Sequence, residues 1–448
     1  MNYQESIHYL YGLTKEGIKL GLENINRILE LIGSPQQSFK SIHIAGTNGK
    51  GSTASMIASM LSSLGYKTGL FTSPHLVRFT ERIRVDNREI SEDKVVELTE
   101  KIKETISGQK NLKPTFFEFI TAMAFLYFQE LAVDYAVVET GMGGRFDATN
   151  VLQPEISVIT PVDFDHMEFL GNTLPEIAFE KAGIIKESTP VVIGSQQKDA
   201  LHVLVNVAEE RNAQTFVLNR DFRIIVDAVS LEGTRFHYIS EGLEIRDIWI
   251  PLAGVYQAEN ASLAIKTIDA ILEGIGEKDY MIKEALDKLK WSGRFEVKYF
   301  KGIPFILDGA HNPRAVEVLT DTIKYLKQTN RFPFKKLITI IGTMSDKDIH
   351  SILSPVVSVS DTIIVTAPSY NRALSPLILY DYVKEISDSI NRGIHLFLST
   401  SLKEAIELSM KSFASGDIIL VTGSFYTVGD AKIVMGEYES MKYLCESN

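Results

Sequence analysis

Ser41-Ile42-His43-Ile44-Ala45-Gly46-Thr47-Asn48-Gly49-Lys50-Gly51-Ser52-Thr53 is the stretch on which the rest of the chain turns. Ile42 to Ala45 read as a short buried strand. From Lys50 onward Ile57, Met60, Leu61 and Leu64 recur at helical spacing, and Gly65 stands where such a helix ends. Between strand and helix lie three glycines and a lysine. Glycines let backbone N–H groups crowd around an anion, a helix N-terminus adds partial positive charge, and Lys50 adds a full one. A hydroxyl for Mg²⁺ is offered by Ser52 or Thr53. The pattern predicts a phosphate cradle. Its spacing is not that of a Walker A loop, which would need glycine in place of Ile44 and Ser or Thr in place of Gly51.

Outward from the cradle, composition sets the limits. The 448 residues suffice for two or three domains with their own cores. A net charge of −11 argues against a nucleic-acid partner, so an anionic ligand must meet local positive charge. The single cysteine, Cys445, excludes an internal disulfide framework and fits a reducing cytoplasm. Met1 to Glu5 lack the basic-then-apolar order of a secretory signal. The longest apolar run, near Ala122 to Phe128, is too short to span a bilayer, so no membrane partner is expected.

Before the cradle, Leu22, Ile25, Ile28, Leu29 and Ile32 form a helical stripe that stops at Gly33-Ser34-Pro35. After it, Thr68 to Phe71 complete a βαβ unit, and Ser73 follows at the carboxyl end of that strand, where parallel sheets bind ligands. Arg78, Arg82 and Arg84 read as exposed edge decoration as readily as ligands. Phe116 to Tyr127 is a core helix. Asp134 to Val138 is a buried strand ending in Glu139, a usual position for a carboxylate that holds Mg²⁺ opposite a phosphate cradle. Ile156 to Thr160 lead to Asp163-Phe164-Asp165-His166, and His166 again follows a strand end. Thr173-Leu174-Pro175-Glu176 opens a helix carrying Lys181, a position that ordinarily means a solvated surface charge. Phe216 to Leu218, Phe222 to Val226 and Phe236 to Ile239 suggest a small antiparallel insertion.

Trp291 to Glu296 read as a linker, after which strands at Phe305 to Leu307, Leu337 to Ile341, Thr362 to Val365, His395 to Leu398 and Ile418 to Val421 alternate with helices. The expected fold is α/β, with a P-loop domain over residues 1–293 and a second, Rossmann-like domain over 297–448. Asp308 to Pro313 and Gly423-Ser424-Phe425-Tyr426 lie at ligand-facing strand ends of that second sheet, and incoming-substrate contacts are expected at Ser424.

Ala45 to Ser52, Phe71 to Leu76, Glu180 to Ile184, Gly293 to Glu296 and Asp308 to Pro313, in that order, resemble the folylpolyglutamate synthase/dihydrofolate synthase family of the Mur ligase superfamily. The resemblance runs on to Gly423 to Val428. It implies a ligase that uses ATP to join L-glutamate to a folate through an acyl phosphate, and leaves dihydropteroate open as a further acceptor. It further implies a nucleotide held by Gly46, Thr47, Asn48, Gly49, Lys50, Gly51, Ser52, Asn260, Arg294 and Asp308. One Mg²⁺ would sit on Ser52 and Glu139 and a second on Ser73 and His166. Lys50, His311 and a carbamylated Lys181 would be the catalytic groups. The pteroate contacts map to Thr115, Phe117 and Asp147, and a cytoplasmic monomer is expected. The rival readings are a peptidoglycan-type Mur ligase and a P-loop NTPase without ligase activity.

Overall fold

The structure is a computed structural model describing residues 1–16, 21–109, 111–329 and 334–437, so Cys445 lies outside the described residues. Its first sheet contains β1 (Lys40–Ala45), β2 (Thr68–Phe71), β3 (Ile83–Val85), β4 (Arg88–Glu89), β5 (Tyr135–Glu139), β6 (Ile156–Ile159), β7 (Val191–Ile193) and β8 (Thr215–Val217). The order is β4-β3-β2-β5-β1-β6-β7-β8. β1 lies parallel between β5 and β6, with Ile44 beside Glu139 and Ala45 beside Ile159. The chain leaves β1 over β5 to β2, returns to β5, then crosses to β6. That reversal opens a crevice at the carboxyl ends of the strands, directly at the cradle.

Alternation along β5 builds both cores. Val137 packs with the cradle helix Lys50–Ser63 and the helix Val255–Ile271, through Ile57, Leu61, Ala264 and Ile268. Ala136 and Val138 face the other way, onto Phe119 and Phe125 of the helix Phe116–Glu130. A strand buried on both faces reads as a continuous apolar run, as β5 does.

The antiparallel insertion is present as β9 (Phe222–Val229), β10 (Thr234–Ser240) and β11 (Leu243–Ile250). Phe216 to Leu218 do not belong to it. β8 is the parallel edge strand of the first sheet, paired with β7 after the crossover helix Lys198–Glu210. Three residues of alternation specify a strand but not its partner; the preceding helix decides it.

The remaining strands are β12 (Glu296–Phe300), β13 (Ile303–Leu307), β14 (Leu337–Ile341), β15 (Thr362–Val365), β16 (His395–Leu398) and β17 (Ile418–Thr422), ordered β12-β13-β17-β14-β15-β16. All neighbours are parallel except β12 with β13. β12 starts inside the stretch read as a linker; as a half-exposed edge strand it carries no continuous apolar run. Among the described residues no helix is long and apolar enough to cross a membrane.

Candidate active site

β1 runs through Gly46-Thr47-Asn48-Gly49 into the helix Lys50–Ser63, with Gly49 at the N-cap. Gly46 (φ 149) and Gly49 (φ 91) both occupy backbone regions closed to most side chains. A Cβ on Gly46 would collide with Thr160 and one on Gly49 with Asn260, so sterics and φ both demand glycine. The helix has no side-chain cap, leaving its first N–H groups for an anion. Lys50 Nζ folds back onto the Gly46 and Thr47 carbonyls at 3.1 and 3.2 Å, which holds its charge over the loop.

The strands beside β1 deliver the next groups. Glu139, at the end of β5, is buried and accepts the Ser73 N–H at 3.0 Å. Burial raises its carboxyl pKa against the pull of Lys50 and Arg294, so the carboxylate lacks a full complement of positive partners. It faces the first turn of the cradle helix: a Cβ on Gly51 would lie 3.3 Å from its Oε2. With the buried Ser52 hydroxyl one residue on, these are hard oxygen donors of the kind Mg²⁺ takes. Ser73 and the largely exposed His166 border the same cleft.

Lys181 is not a solvated surface charge. It is buried near the end of the helix Leu174–Ala182 and donates to the Gly46 carbonyl at 2.8 Å. Burial, with Lys50 adding repulsion, lowers its pKa to about 7, so a large share of the amine is neutral near that pH.

The second sheet closes the cleft from the other side. Asp308 follows β13 and accepts the Phe295 and Ala310 N–H groups at 2.7 and 2.8 Å, tying the linker to its own loop. Arg294 lies 4.1 Å from the Phe425 ring centroid. His311 donates Nδ1–H to the Gly309 carbonyl at 2.9 Å, leaving Nε2 as a lone pair, and burial lowers its pKa to about 4. Asn48 and Asn312 exchange two amide hydrogen bonds of 3.3 and 3.0 Å between the halves. The resulting cleft of about 680 Å³ is lined by Lys50, Ser52, Ser73, Glu139, His166, Lys181, Asn260, Arg294, Asp308 and His311 together.

Asp165 and Lys347 were not singled out from sequence. Asp165 meets Lys347 Nζ at 3.0 Å, Asn312 Nδ2 at 3.5 Å, and the Nε2 atoms of His166 and His311 at 3.9 and 4.0 Å. Burial pushes its carboxyl up, but the neighbouring His166, His311 and Lys347 hold it well below the usual range. Its signal was an acidic residue at a strand end beside a histidine; Lys347, a lysine between two aspartates, offered none. Arg82 is also buried, not edge decoration. Its Nε donates to His75 Nδ1 at 2.7 Å and its guanidinium lies 5.3 Å from the Phe116 ring centroid.

Four expected substrate residues are not among those that line this cleft. Thr115 caps the helix Phe116–Glu130 in a reciprocal box with Glu118. Phe117 packs under Gly141, and Asp147 accepts the Met142 N–H at 2.9 Å. Ser424 is buried at the N-cap of the helix Phe425–Val434, accepting the Thr427 N–H at 3.0 Å. Elsewhere, Asp227, His237 and Asp247 cluster on the antiparallel insertion. His237 accepts the Asp247 N–H at Nδ1 (2.9 Å) and faces Asp227 through Nε2 (3.0 Å), so that imidazole has no lone pair left for a metal.

The Mur ligase middle domain family matches residues 44–268, and the Mur ligase, glutamate ligase domain family matches residues 293–425. Cradle, cleft and second sheet are thus those of an ATP-dependent, amide-forming ligase of the Mur type, which sets aside a P-loop NTPase without ligase activity. The dihydrofolate synthase/folylpolyglutamate synthase of Bacillus subtilis is 36% identical over 437 residues, spanning 96% of this chain and 98% of the relative. A Mycobacterium tuberculosis folylpolyglutamate synthase complexed with ADP and AMPPCP superposes with a TM-score of 0.88 at 31% identity, over 97% of this chain and 99% of that one. Escherichia coli FolC in complex with DHPP and ADP gives a TM-score of 0.84 at 27% identity, over 98% of this chain and 99% of that one. The chain belongs to the folylpolyglutamate synthase/dihydrofolate synthase family.

Proposed function

We propose that this ligase adds L-glutamate to folates and also to dihydropteroate, with residues 1–293 binding ATP and the acceptor and residues 297–448 closing over them to admit glutamate. The observation that carries this reading is the single cleft in which Lys50 and Lys181 from one sheet face Arg294 and His311 from the other. With Lys50 on one wall and Arg294 on the other, the cavity sets a fixed positive charge on each side of a reaction whose acceptor, nucleotide and intermediate are all anionic.

The acceptor carboxylate attacks the γ-phosphorus of ATP, the β–γ bridging bond breaks, and an acyl phosphate and ADP result. Lys50 and the N–H groups of the cradle helix hold the transferring phosphoryl group, and Arg294 lies across the cleft from them. The glutamate amine then attacks the acyl carbon, the tetrahedral intermediate expels phosphate, and the amide forms. His311 Nε2 is the free lone pair suited to take the amine proton, and Asp165 at 4.0 Å stabilises the imidazolium that results. Ser52 with Glu139, and Ser73 with His166, are the residues that would hold two Mg²⁺ ions, which when bound neutralise phosphate charge. Lys181 is read as carbamylated: a neutral Nζ adds to CO₂ and releases a proton, turning a buried cation beside Lys50 into an anion. Its pKa of about 7 supplies the neutral amine. Because one chain completes the cleft, the working unit is read as a monomer, in the cytoplasm.

The test is purified protein with ATP, Mg²⁺ and radiolabelled glutamate, offered dihydropteroate and tetrahydrofolate separately. ADP release that requires both glutamate and one of these acceptors is the expected result. ATP turnover indifferent to the acceptor overturns it.

A further inference from the structure

His43 lies in β1, three residues before the cradle, and is wholly buried. A buried imidazole is ordinarily a packing residue satisfied at both nitrogens. Here only one is: Nε2 lies 2.7 Å from Thr149 Oγ1, while Nδ1 has no partner. Thr149, equally buried, donates its hydroxyl to Asp147 Oδ1 at 2.5 Å and its N–H to the same oxygen at 3.0 Å. A hydroxyl that donates to a carboxylate must accept from its other neighbour, so His43 carries its proton on Nε2. The remaining carboxylate oxygen, Asp147 Oδ2, accepts the Met142 N–H at 2.9 Å. Gly141, Met142 and Gly143 line the cleft with backbone and one apolar side chain and no ionised group, a surface on which a flat ring can pack against Met142.

We propose that His43 is a positioning residue: through the directed chain His43 Nε2–H to Thr149 Oγ1–H to Asp147, anchored on Met142 N–H, it holds the Gly141–Gly143 wall against the ring system of the acceptor. The strand that feeds the phosphate cradle thereby also steadies the loop that follows its neighbour β5. Burial, with Lys186 nearby, lowers the His43 pKa to about 3, which keeps the neutral donor form at working pH. The identity of the acceptor rests on the function proposed above; the relay does not.

His43→Leu removes the donor, His43→Gln places an amide N–H where Nε2–H stood, and Thr149→Val cuts the chain one step later with little change of shape. Dihydropteroate binding by calorimetry is expected to weaken about tenfold in His43→Leu and Thr149→Val, with ADP binding unchanged within twofold and His43→Gln recovering most of the loss. Hydrogen exchange at the Met142 amide is expected to accelerate about tenfold in the same two variants, while Gly49 to Ser52 amides keep their protection. Equal losses for dihydropteroate and ADP, or no better retention by glutamine than by leucine, would reduce His43 to a packing residue. A wild-type protein that ignores dihydropteroate would instead refute the acceptor assignment, and Met142 exchange would still decide the relay. Should His43→Leu fail to fold, Thr149→Val decides alone: unchanged exchange at Met142 ends the proposal.

Discussion

The two α/β units meet at one cleft yet use their strand-end polar groups in opposite ways. In the first, Lys50, Glu139, His166 and Lys181 all border the cavity. In the second, the strand-end groups that stand out in sequence also serve their own unit: Asp308, although it borders the cavity, braces the Phe295–Ala310 turn, Asn312 caps the helix Pro313–Gln328 while pairing with Asn48, and Ser424 caps the helix Phe425–Val434. What that unit offers the cavity is a few groups on stiff loops, Arg294 and His311 among them. A strand-end location tells where a ligand approaches. Whether a side chain there meets it depends on how many local N–H groups compete for its oxygens.

The largest effect that can break this contrast is at the cradle. Lys50→Ala is expected to lower kcat by roughly 100-fold or more, a loss of about 3 kcal/mol of transition-state stabilisation, with the melting temperature nearly unchanged. Near-normal turnover would remove the first unit's claim to the phosphoryl step.

Lys181→Arg sharpens it next. Arginine retains the positive charge that carbamylation would reverse, so ligation is expected to fall about as far as in Lys181→Ala, and formate to revive only the alanine variant. The bare cation is costly where it sits. Its pKa is depressed, so the unfolded chain binds the extra proton between about pH 7 and its ordinary value, and stability rises with pH across that window. Lys181→Met, assayed without bicarbonate, is therefore expected to melt a few degrees higher at pH 7 while remaining inactive. An active arginine variant overturns the assignment.

A smaller effect probes the seam. Lys347→Ala leaves Asp165 with only weaker partners, and kcat/KM is expected to fall about tenfold, with a profile less sensitive to added salt. Smaller again, Ser424→Ala removes a helix N-cap and is expected to cost about 1 kcal/mol in urea titration. A change confined to the KM for glutamate, with stability intact, would instead restore Ser424 as a ligand and blur the contrast.

Much of this was legible in sequence because it depends on backbone chemistry. The cradle follows from Gly46, Gly49 and Lys50 between a strand and a helix, and Glu139 from its place at the end of an apolar run. Lys181 was not legible from its own helix: Thr173 to Ala182 reads as an ordinary capped segment, and only the fold shows that its last turn docks on the Gly46 carbonyl. Asp165 and Lys347 are 182 positions apart, and no local pattern relates them. Phe216 had the right alternation with the wrong neighbours. Local rules specify elements and loops; contacts between distant loops require the assembled sheets.

The reciprocal amide pair of Asn48 and Asn312 divides the adhesion between the units into two kinds. Its two hydrogen bonds are made between neutral amides, although Asn312 Nδ2 also reaches Asp165 at 3.5 Å. Asp165 with Lys347 and His311 is the opposite: every member carries or can acquire charge. Acid or salt therefore reaches the seam chiefly through Asp165, and the neutral amide pair feels it only by way of that one carboxylate.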